Sequence, residues 1–148
     1  MTTEGVRAAQ LRAIAAGKAA PIPYDGHMGF RLDAWSPDGA VVSVEAGPHL
    51  ANPTGVLHGG VLMGLADSAM GLTVTGLLGA GEAGTNTDLQ IRFLRPTTGG
   101  RLTATARVVR RGRRTLVLEA DVTDAAGKLV ARASSTFLVL DAATFAQG

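Results

Sequence analysis

The sequence predicts an α+β domain in which one long apolar helix lies against an antiparallel sheet of five or six strands. The first observation is the run from Val61 to Leu78, where apolar residues recur every three or four positions and the opposite face is also apolar or small. A helix of this kind is buried on most sides. The second is a set of six segments that alternate in polarity between turns rich in Pro and Gly. The third is the length of 148 residues, which is typical of one domain with a real core.

The N-terminal segment is predicted to form a helix from Thr3 to Gly17, with Val6, Leu11 and Ile14 in loosely helical spacing. Prolines at positions 21 and 23 then end regular structure, and the Tyr-Asp-Gly-His sequence at 24–27 predicts a turn. We therefore expect an N-terminal helix and linker over residues 1–25 and one main domain over residues 26–148.

Strands are predicted at residues 29–36 and 40–46, joined by Ser36-Pro37-Asp38-Gly39. Pro suits the first central position of this turn and Gly the position that needs positive φ, so the pair should form a hairpin. The long helix follows at about 59–78. Four more strands are predicted at 85–94, 101–110, 115–123 and 128–140, and the short turns between consecutive strands predict antiparallel pairing. Because only one face of such a sheet has to be apolar, it can wrap around the helix.

The composition excludes several classes of protein. The chain has no Cys, so it has neither a disulfide framework nor a thiolate nucleophile. Its first residues lack the basic start and apolar core of a signal peptide, and we expect a cytoplasmic protein. The run at 61–80 is apolar enough to resemble a membrane span, but Asp67 and Ser68 within it favour a buried helix instead.

The positive charge is unevenly distributed, although the net charge is only +2. Eight of the fourteen basic residues lie between Arg92 and Arg114, a stretch without any acid. This local field favours a partner that bears phosphate groups over general binding of nucleic acid. The alternative is that these Arg side chains simply point outward from solvated strands.

Gly59 and Gly60 are candidates for binding a carbonyl oxygen. At the start of a helix the first N–H groups have no partner within the helix and lie at the positive end of its dipole. Without side chains, these residues allow an oxygen to come close, which makes an oxyanion site. The alternative is that paired glycines only permit a tight turn or close packing.

Asp67 is the candidate for the reacting carboxylate. A carboxylate in apolar surroundings has raised basicity, which suits a nucleophile or a general base. It follows Gly59 by eight residues, or about 12 Å along the helix axis, so it cannot reach an oxyanion held at its own helix N-terminus. An antiparallel helix of a second subunit could bring another Asp67 there, which predicts a site shared across a dimer. The alternative is an acid on an exposed helix edge.

Three other polar residues in this part of the chain allow more than one interpretation. His58 could orient the loop by hydrogen bonding or act as an acid, and Asn52 could donate to a substrate or cap the turn at Pro53. His27 and His49 are isolated, and without metal-ligand spacing or Cys the sequence predicts no metal site. We find no phosphate-binding loop, dinucleotide fingerprint or nucleophile elbow.

Two features of the chain carry a resemblance to a known family. One is the set of later antiparallel strands with an Arg95-Pro96 turn, and the other is the pattern Asn52…Gly55-Val56-Leu57-His58-Gly59-Gly60…Ala66-Asp67-Ser68-Ala69. Together they strongly resemble the hotdog-fold acyl-CoA thioesterases. The most similar branch is the group of PaaI-like phenylacetate-pathway thioesterases and 4-hydroxybenzoyl-CoA thioesterases. The resemblance covers about residues 26–140.

The resemblance implies a curved antiparallel sheet around a central helix, and a homodimer whose subunits join their sheets with the active sites at the interface. Two dimers would form a homotetramer. The Gly59 amide would polarise the thioester carbonyl, Asn52 would lie beside it or help to place the water, and Asp67 of the other subunit would act as nucleophile or general base. His58 belongs to the same catalytic set. No metal or redox cofactor is implied.

The resemblance also implies positions for water and for coenzyme A. Where related enzymes carry a hydroxyl residue that positions water, this chain has Asn86, flanked by Thr85 and Thr87. Coenzyme A would bind near Arg111-Gly112-Arg113-Arg114-Thr115, in agreement with the basic field, since Arg side chains suit phosphates. Further substrate contacts are assigned to Gly60, Ser68, Thr87 and Arg95.

Two other functions are open to the same fold. A protein that binds acyl-CoA without hydrolysing it would not need the carboxylate of Asp67. A hydratase of enoyl thioesters would carry a His and acid pattern that residues 55–67 do not resemble. The sequence therefore predicts hydrolysis of an acyl- or aryl-CoA thioester to the free acid and CoA, without specifying the acyl group.

Overall fold

The computed structural model describes residues 3–146, with side chains from residue 5 onward. Its elements are, in order, α1 (Thr3–Ala15), α2 (Pro23–Met28), β1 (Phe30–Ser36), β2 (Gly39–Ala46), a single 3-10 turn (Pro48–Leu50), α3 (Gly59–Leu77), β3 (Glu82–Phe93), β4 (Gly100–Arg111), β5 (Thr115–Thr123), β6 (Leu129–Asp141) and α4 (Ala142–Phe145).

The six strands form one sheet in the order β1-β2-β4-β5-β6-β3, and every neighbouring pair is antiparallel. The helix α3 contacts all six strands. Leu65, Ala66, Ala69 and Met70 of α3 are completely buried against the inner face of the sheet. The α+β prediction of one apolar helix against an antiparallel sheet is therefore confirmed.

The pairing of β3 differs from the sequence prediction, which expected consecutive strands to be neighbours. A short connection joins β3 to β4, yet β3 pairs with β6 and β4 pairs with β2. The connection does not close a hairpin, because its backbone bonds elsewhere: the N–H groups of Leu94 and Arg95 donate to the Val130 carbonyl, and Thr97 accepts from Leu57 N–H. The strand β3 is thus left at one edge of the sheet.

The turn predicted at residues 24–27 is instead part of the helix α2. Pro23 occupies its first turn, where a missing N–H costs nothing, and Gly29 follows it in the left-handed conformation with φ of 73°. Residues that resemble a turn in the sequence therefore start and end a helix. The four-residue helix α4 was also not predicted; Asp141 caps it by accepting a hydrogen bond from Ala143 N–H.

The predicted N-terminal helix is present, and it belongs to the same core as the sheet. It packs on β1 and α3 and contributes Ala8, Leu11 and Ile14 to the buried cluster. At its end Gly17 has a φ of 69°, and Lys18 N–H donates to the Ala13 carbonyl, which satisfies an acceptor that the helix leaves open.

Gly76 of α3 permits close packing against β1. A Cβ at Gly76 would lie 2.2 Å from the Trp35 ring, and the Trp35 indole N–H donates to the Leu72 carbonyl at 3.0 Å. By length and composition alone α3 could cross a membrane, but most of it is buried within this fold.

The basic stretch is less uniform in the structure than in the sequence. Arg101 pairs with Asp33 at 2.9 Å and with Glu45 at 3.2 Å. Arg107 pairs with Glu119 and Asp121 in the same way, across neighbouring strands. For these two Arg residues the interpretation as solvated strand positions is confirmed, because sheet pairing supplies the acids that the local sequence lacks.

Candidate active site

The N-terminus of α3 presents one unoccupied amide. His58 is the N-cap residue, and its Nδ1 accepts a hydrogen bond from Gly60 N–H at 2.9 Å. His58 therefore has the capping role that was one of its two interpretations. Within residues 3–146 the structure gives no acceptor to Gly59 N–H. The expectation that both glycine amides are free thus holds for Gly59 and not for Gly60.

Gly59, whose amide is free, lines a shallow groove of about 360 Å³. Phe93, at the end of β3, lies directly beside it: a Cβ at Gly59 would be 3.0 Å from Cζ of the ring. The remaining walls come from the loop before α3, from α3 itself and from the connection after β3; they are Val56, Leu57, Leu62, Leu94, Arg95, Pro96 and Thr97. An acceptor atom in this groove would meet a backbone donor at the positive end of α3.

Asn52 shapes the loop that leads to this groove. Its Oδ1 accepts hydrogen bonds from Thr54 N–H at 2.9 Å and from Thr54 Oγ1 at 2.7 Å. Both are local bonds of the kind that fix a turn. The capping interpretation of Asn52 is therefore realised, while its amide nitrogen has no hydrogen-bond acceptor within residues 3–146.

Asp67 lies in a second cavity of about 250 Å³, on the side of α3 that faces β3. The side chain is half-buried, and its Oδ1 accepts a hydrogen bond from Asn86 Nδ2 at 2.9 Å. Asn86 lies on β3, so the strand after the helix holds the carboxylate of Asp67. The role in positioning water that the resemblance implies for Asn86 stays a prediction. Gly71, one turn after Asp67, also lines this cavity, and a Cβ there would meet no atom within 4 Å.

A second carboxylate, Asp25 of α2, lines the same cavity and is buried. Its Oδ1 accepts a hydrogen bond of 2.6 Å from Ser68 Oγ, and Ser68 directly follows Asp67 in α3. Sequence reasoning missed Asp25, because an Asp between Tyr24 and Gly26 is typical of an exposed turn. No local signal shows that a short helix buries it against α3.

The two carboxyl groups have shifted acidities for related reasons. Burial raises the pKa of Asp67; the hydrogen bond from Asn86 opposes the rise, and the neighbouring charge of Asp25 adds to it. Burial likewise raises the pKa of Asp25, and the hydrogen bond from Ser68 opposes that rise. Asp67 is therefore a stronger base than an exposed aspartate.

The groove at Gly59 and the cavity at Asp67 are separate within one chain. They share no lining residue, and the two residues are about 12 Å apart along the helix axis. The predicted site residues thus form two separate groups within one chain. The first group is Asp67, Ser68 and Asn86. The second is His58, Gly59, Gly60 and Arg95.

The hairpin between β4 and β5 forms a third group, at the other end of α3. Arg111 Nη2 donates to the carbonyl of Leu77, the last residue of α3, at 3.3 Å. Arg113, Arg114 and Thr115 are exposed on the same hairpin. Arg95 therefore lies near the start of α3, whereas the β4–β5 hairpin lies near its end. For a helix of 19 residues these two ends are about 27 Å apart.

Thr87 does not contribute to any of these three groups. It is exposed, at an irregularity in β3, and its Oγ1 donates to the Thr136 carbonyl at 3.3 Å. The substrate contact assigned to Thr87 stays a prediction.

The raised pKa of Asp67 predicts how stability depends on pH. A carboxyl with a raised pKa in the folded state stabilises the fold fully below its ordinary value near 3.8, and this contribution is lost as the pH rises through the folded value. The side chain introduced by Asp67→Asn does not ionise, so the variant does not lose this stability as the pH rises. It also keeps an oxygen that can accept the hydrogen bond from Asn86. We expect the melting temperature of the variant, relative to wild type, to increase from acidic to neutral pH. A difference that is constant between about pH 3.5 and 8 contradicts the assignment.

Comparison with known proteins identifies the family. The model of the thioesterase superfamily matches residues 54–131, which include α3 and both groups of site residues. A thioesterase from Haemophilus influenzae has a similar structure, with a TM-score of 0.76 and 28% identity over 80% of this chain and 83% of that one.

Two further solved structures are at least as similar in sequence. AziG of S. sahachiroi is 34% identical, with a TM-score of 0.77 over 81% of this chain and 98% of that one. A mutant of the phenylacetic acid degradation protein PaaI from Thermus thermophilus is 30% identical, with a TM-score of 0.75 over 80% of this chain and 100% of that one. The chain therefore belongs to the thioesterase superfamily and has the hotdog fold, in which an antiparallel sheet wraps around one long helix.

Proposed function

We propose that this protein hydrolyses acyl-CoA thioesters, at sites that each combine Gly59 of one chain with Asp67 of a second copy. The observation that carries the proposal is the separation of a free helix N-terminal amide and a basic carboxylate into two cavities along one unpaired edge strand. Each cavity holds half of the groups that thioester hydrolysis needs.

The strand β3 links the two halves. Asn86, near its start, holds the carboxylate of Asp67, and Phe93, at its end, lies against Gly59. The outer edge of β3 pairs with no strand in the described part of the chain. A long unpaired edge is a template for addition of another strand.

Antiparallel pairing of β3 with its own copy would complete the site. If the two-fold axis passes between Leu89 and Gln90, Asn86 of each chain lies opposite Phe93 of the other. Asp67 then approaches Gly59 of the second copy, since each is fixed to one of these strand residues. A homodimer of this kind has two equivalent sites, and we expect two dimers to associate as a homotetramer.

The reaction follows from the groups so assembled. The thioester carbonyl oxygen accepts a hydrogen bond from Gly59 N–H, which stabilises the negative charge that develops in the transition state. Asp67 removes a proton from water as the water oxygen attacks the carbonyl carbon. The carbon–sulfur bond then breaks, and the proton passes to the departing sulfur, so that the products are a carboxylic acid and free CoA thiol.

Asp67 has a second possible role as the nucleophile. Its carboxylate would then attack the carbonyl carbon and expel the thiolate, leaving a mixed anhydride that water hydrolyses. The appearance of ¹⁸O in Asp67 after a single turnover in ¹⁸O-water establishes the anhydride route, because only attack of water on the aspartyl carbonyl carbon of an anhydride transfers the isotope to Asp67. Mass spectrometry of the peptide that contains Asp67 measures this transfer.

The exposed Arg residues of the β4–β5 hairpin support a CoA substrate. Arg113 and Arg114 lie about 15 Å beyond Asp67 along α3, on the chain that supplies the carboxylate. Arg forks suit phosphate groups, whose charge would bind there while the thioester reaches the paired cavities.

Release of free thiol tests the proposed function directly. Purified protein is incubated with aryl-, short-, medium- and long-chain acyl-CoAs, and thiol is measured with a chromogenic disulfide. We expect enzyme-dependent thiol release from at least one class. Binding of acyl-CoA without thiol release across the whole panel would instead establish the non-catalytic binder.

A further inference from the structure

The mechanism above gives no role to Asp25, although it is a buried carboxylate beside the reacting one. A buried charge without a cation costs folding free energy. In the part of the chain whose side chains are described, no Lys, Arg or His lines the cavity that contains Asp25 and Asp67. The single hydrogen bond from Ser68 is its only side-chain partner in residues 5–146.

Three local features hold Asp25 in this position. Pro23 starts the helix α2, Asp25 lies in its first turn, and Gly29 ends it in the left-handed conformation. The hydrogen bond to Ser68 then ties α2 to the segment of α3 that carries Asp67. Because Ser68 is the neighbour of Asp67, the two carboxylates are kept on adjacent walls of one cavity.

We propose that Asp25 is a positioning residue for Asp67: it fixes a second negative charge at the cavity wall, which makes the carboxylate of Asp67 a better proton acceptor. The inference rests on the proposed hydrolysis and adds a residue of the N-terminal segment to its machinery. The hydroxyl of Ser68 favours the charged form of Asp25 and so opposes the rise that burial gives the pKa of this carboxyl.

Among the described residues 5–146, Asp25 is the only acidic side chain besides Asp67 that lines the cavity. Tyr24 and Asp25 come from α2, Ser68 and Leu72 from α3, and the remaining walls are neutral; they are Ile22, Gly71, Gly84, Thr85, Asn86 and Phe137. The charge of Asp25 adds to the rise that burial gives the pKa of Asp67. Removal of that charge should therefore lower the pKa of Asp67.

The test is the pH dependence of kcat/KM for Asp25→Asn. The amide oxygen still accepts the Ser68 hydroxyl, so the fold is kept while the charge is removed. We expect the acid limb of the profile to move to lower pH, because Asp67 loses its proton more readily. The plateau should fall by less than about tenfold, since a weaker base is still present.

Ser68→Ala is the second variant and acts on the same charge by another route. Without the hydroxyl donor, nothing opposes the rise that burial gives the pKa of Asp25, so Asp25 takes up its proton at higher pH and contributes less charge where Asp67 titrates. The acid limb should move in the same direction as in Asp25→Asn. The exposed turn residue Asp38 supplies the matched control: Asp38→Asn makes the same change in net charge and should leave the profile unchanged.

Two measurements separate this inference from the proposed function. Titration of the ¹³C-labelled Asp67 carboxyl by NMR in wild type and Asp25→Asn reports the coupling without any substrate. A lower pKa in the variant together with no thioesterase activity would refute the hydrolysis and leave the coupling intact. Thioesterase activity with an acid limb that Asp25→Asn does not move would overturn the role of Asp25, whether or not turnover falls.

Discussion

Asp67→Asn is expected to lower kcat/KM for thioester hydrolysis by about 10²- to 10⁴-fold, the usual contribution of a positioned acid or base. The variant keeps the shape of the side chain and an oxygen that accepts the hydrogen bond from Asn86. It loses the ability to take a proton from water or to attack a carbonyl. Turnover should therefore be largely lost, while the circular dichroism spectrum and the oligomeric state stay the same as in the wild type.

The pH profile of the wild type provides the companion measurement. Because the ionised form of Asp67 is the reactive one and its pKa is raised, kcat/KM should fall on the acid side at a higher pH than for an exposed aspartate. Asp67→Ala should match Asp67→Asn in activity, which guards against deamidation back to the acid. Near-normal turnover in either variant would remove Asp67 from the mechanism.

Gly59→Val is expected to lower kcat by about 10²- to 10³-fold, the usual effect of losing one oxyanion donor. Gly59 does not have positive φ, so its backbone tolerates a side chain. The methyl groups of Val would crowd the groove in front of Gly59 N–H and keep the substrate carbonyl away. Turnover of thioesters by the purified variant measures the effect, and its melting temperature shows whether the fold is kept.

Gly59→Ala is the graded control for this substitution. Its single Cβ lies 3.0 Å from Cζ of Phe93, whose exposed ring can move aside. The N–H group then stays accessible, and we expect a smaller loss than for Val. Equal and full activity in both variants would show that the Gly59 amide does not bind the carbonyl.

Much of the fold could be predicted because periodicity and turn chemistry are local signals. The helix α3 was predicted at 59–78 and is found at Gly59–Leu77, since its apolar pattern and its start after His58 are both visible in the sequence. The alternating strands and the β1–β2 hairpin were also predicted, but the reason given for Gly39 was wrong. Gly39 does not have positive φ; a Cβ there would lie 1.9 Å from the Ala106 carbonyl oxygen, so the position requires Gly for its close approach to β4. The position of β3 at the sheet edge could not be predicted, because it depends on backbone bonds from Leu94 and Arg95 to Val130.

An irregularity in β3 decided which residues meet at the site. Strict alternation places Leu89, Ile91 and Phe93 on one face and Asn86 on the other. The register shift between Asn86 and Asp88 brings Asn86 to the helix side, where it binds Asp67. The family resemblance indicated the position of Asn86, whereas periodicity alone would have assigned it to the opposite face.

The residues of the sequence motif were predicted as the candidate site, whereas the residues that pack around them were not. Gly59 and Asp67 were found from their types and spacing, and helix arithmetic placed them too far apart to act within one chain. Asp25 was not found, because its burial depends on tertiary packing of α2 against α3. The acids that neutralise Arg101 and Arg107 were missed for the same reason.

The most direct test of the shared site is complementation between two inactive variants. Asp67→Ala and Gly59→Val are expressed with different tags, and the mixed dimer is purified over both tags. One of its two sites then carries both defects, while the other carries an intact Gly59 and an intact Asp67. We predict that the mixed dimer recovers about half of the wild-type turnover, one site of two. Mixed dimers as inactive as the two parent variants would contradict the shared site.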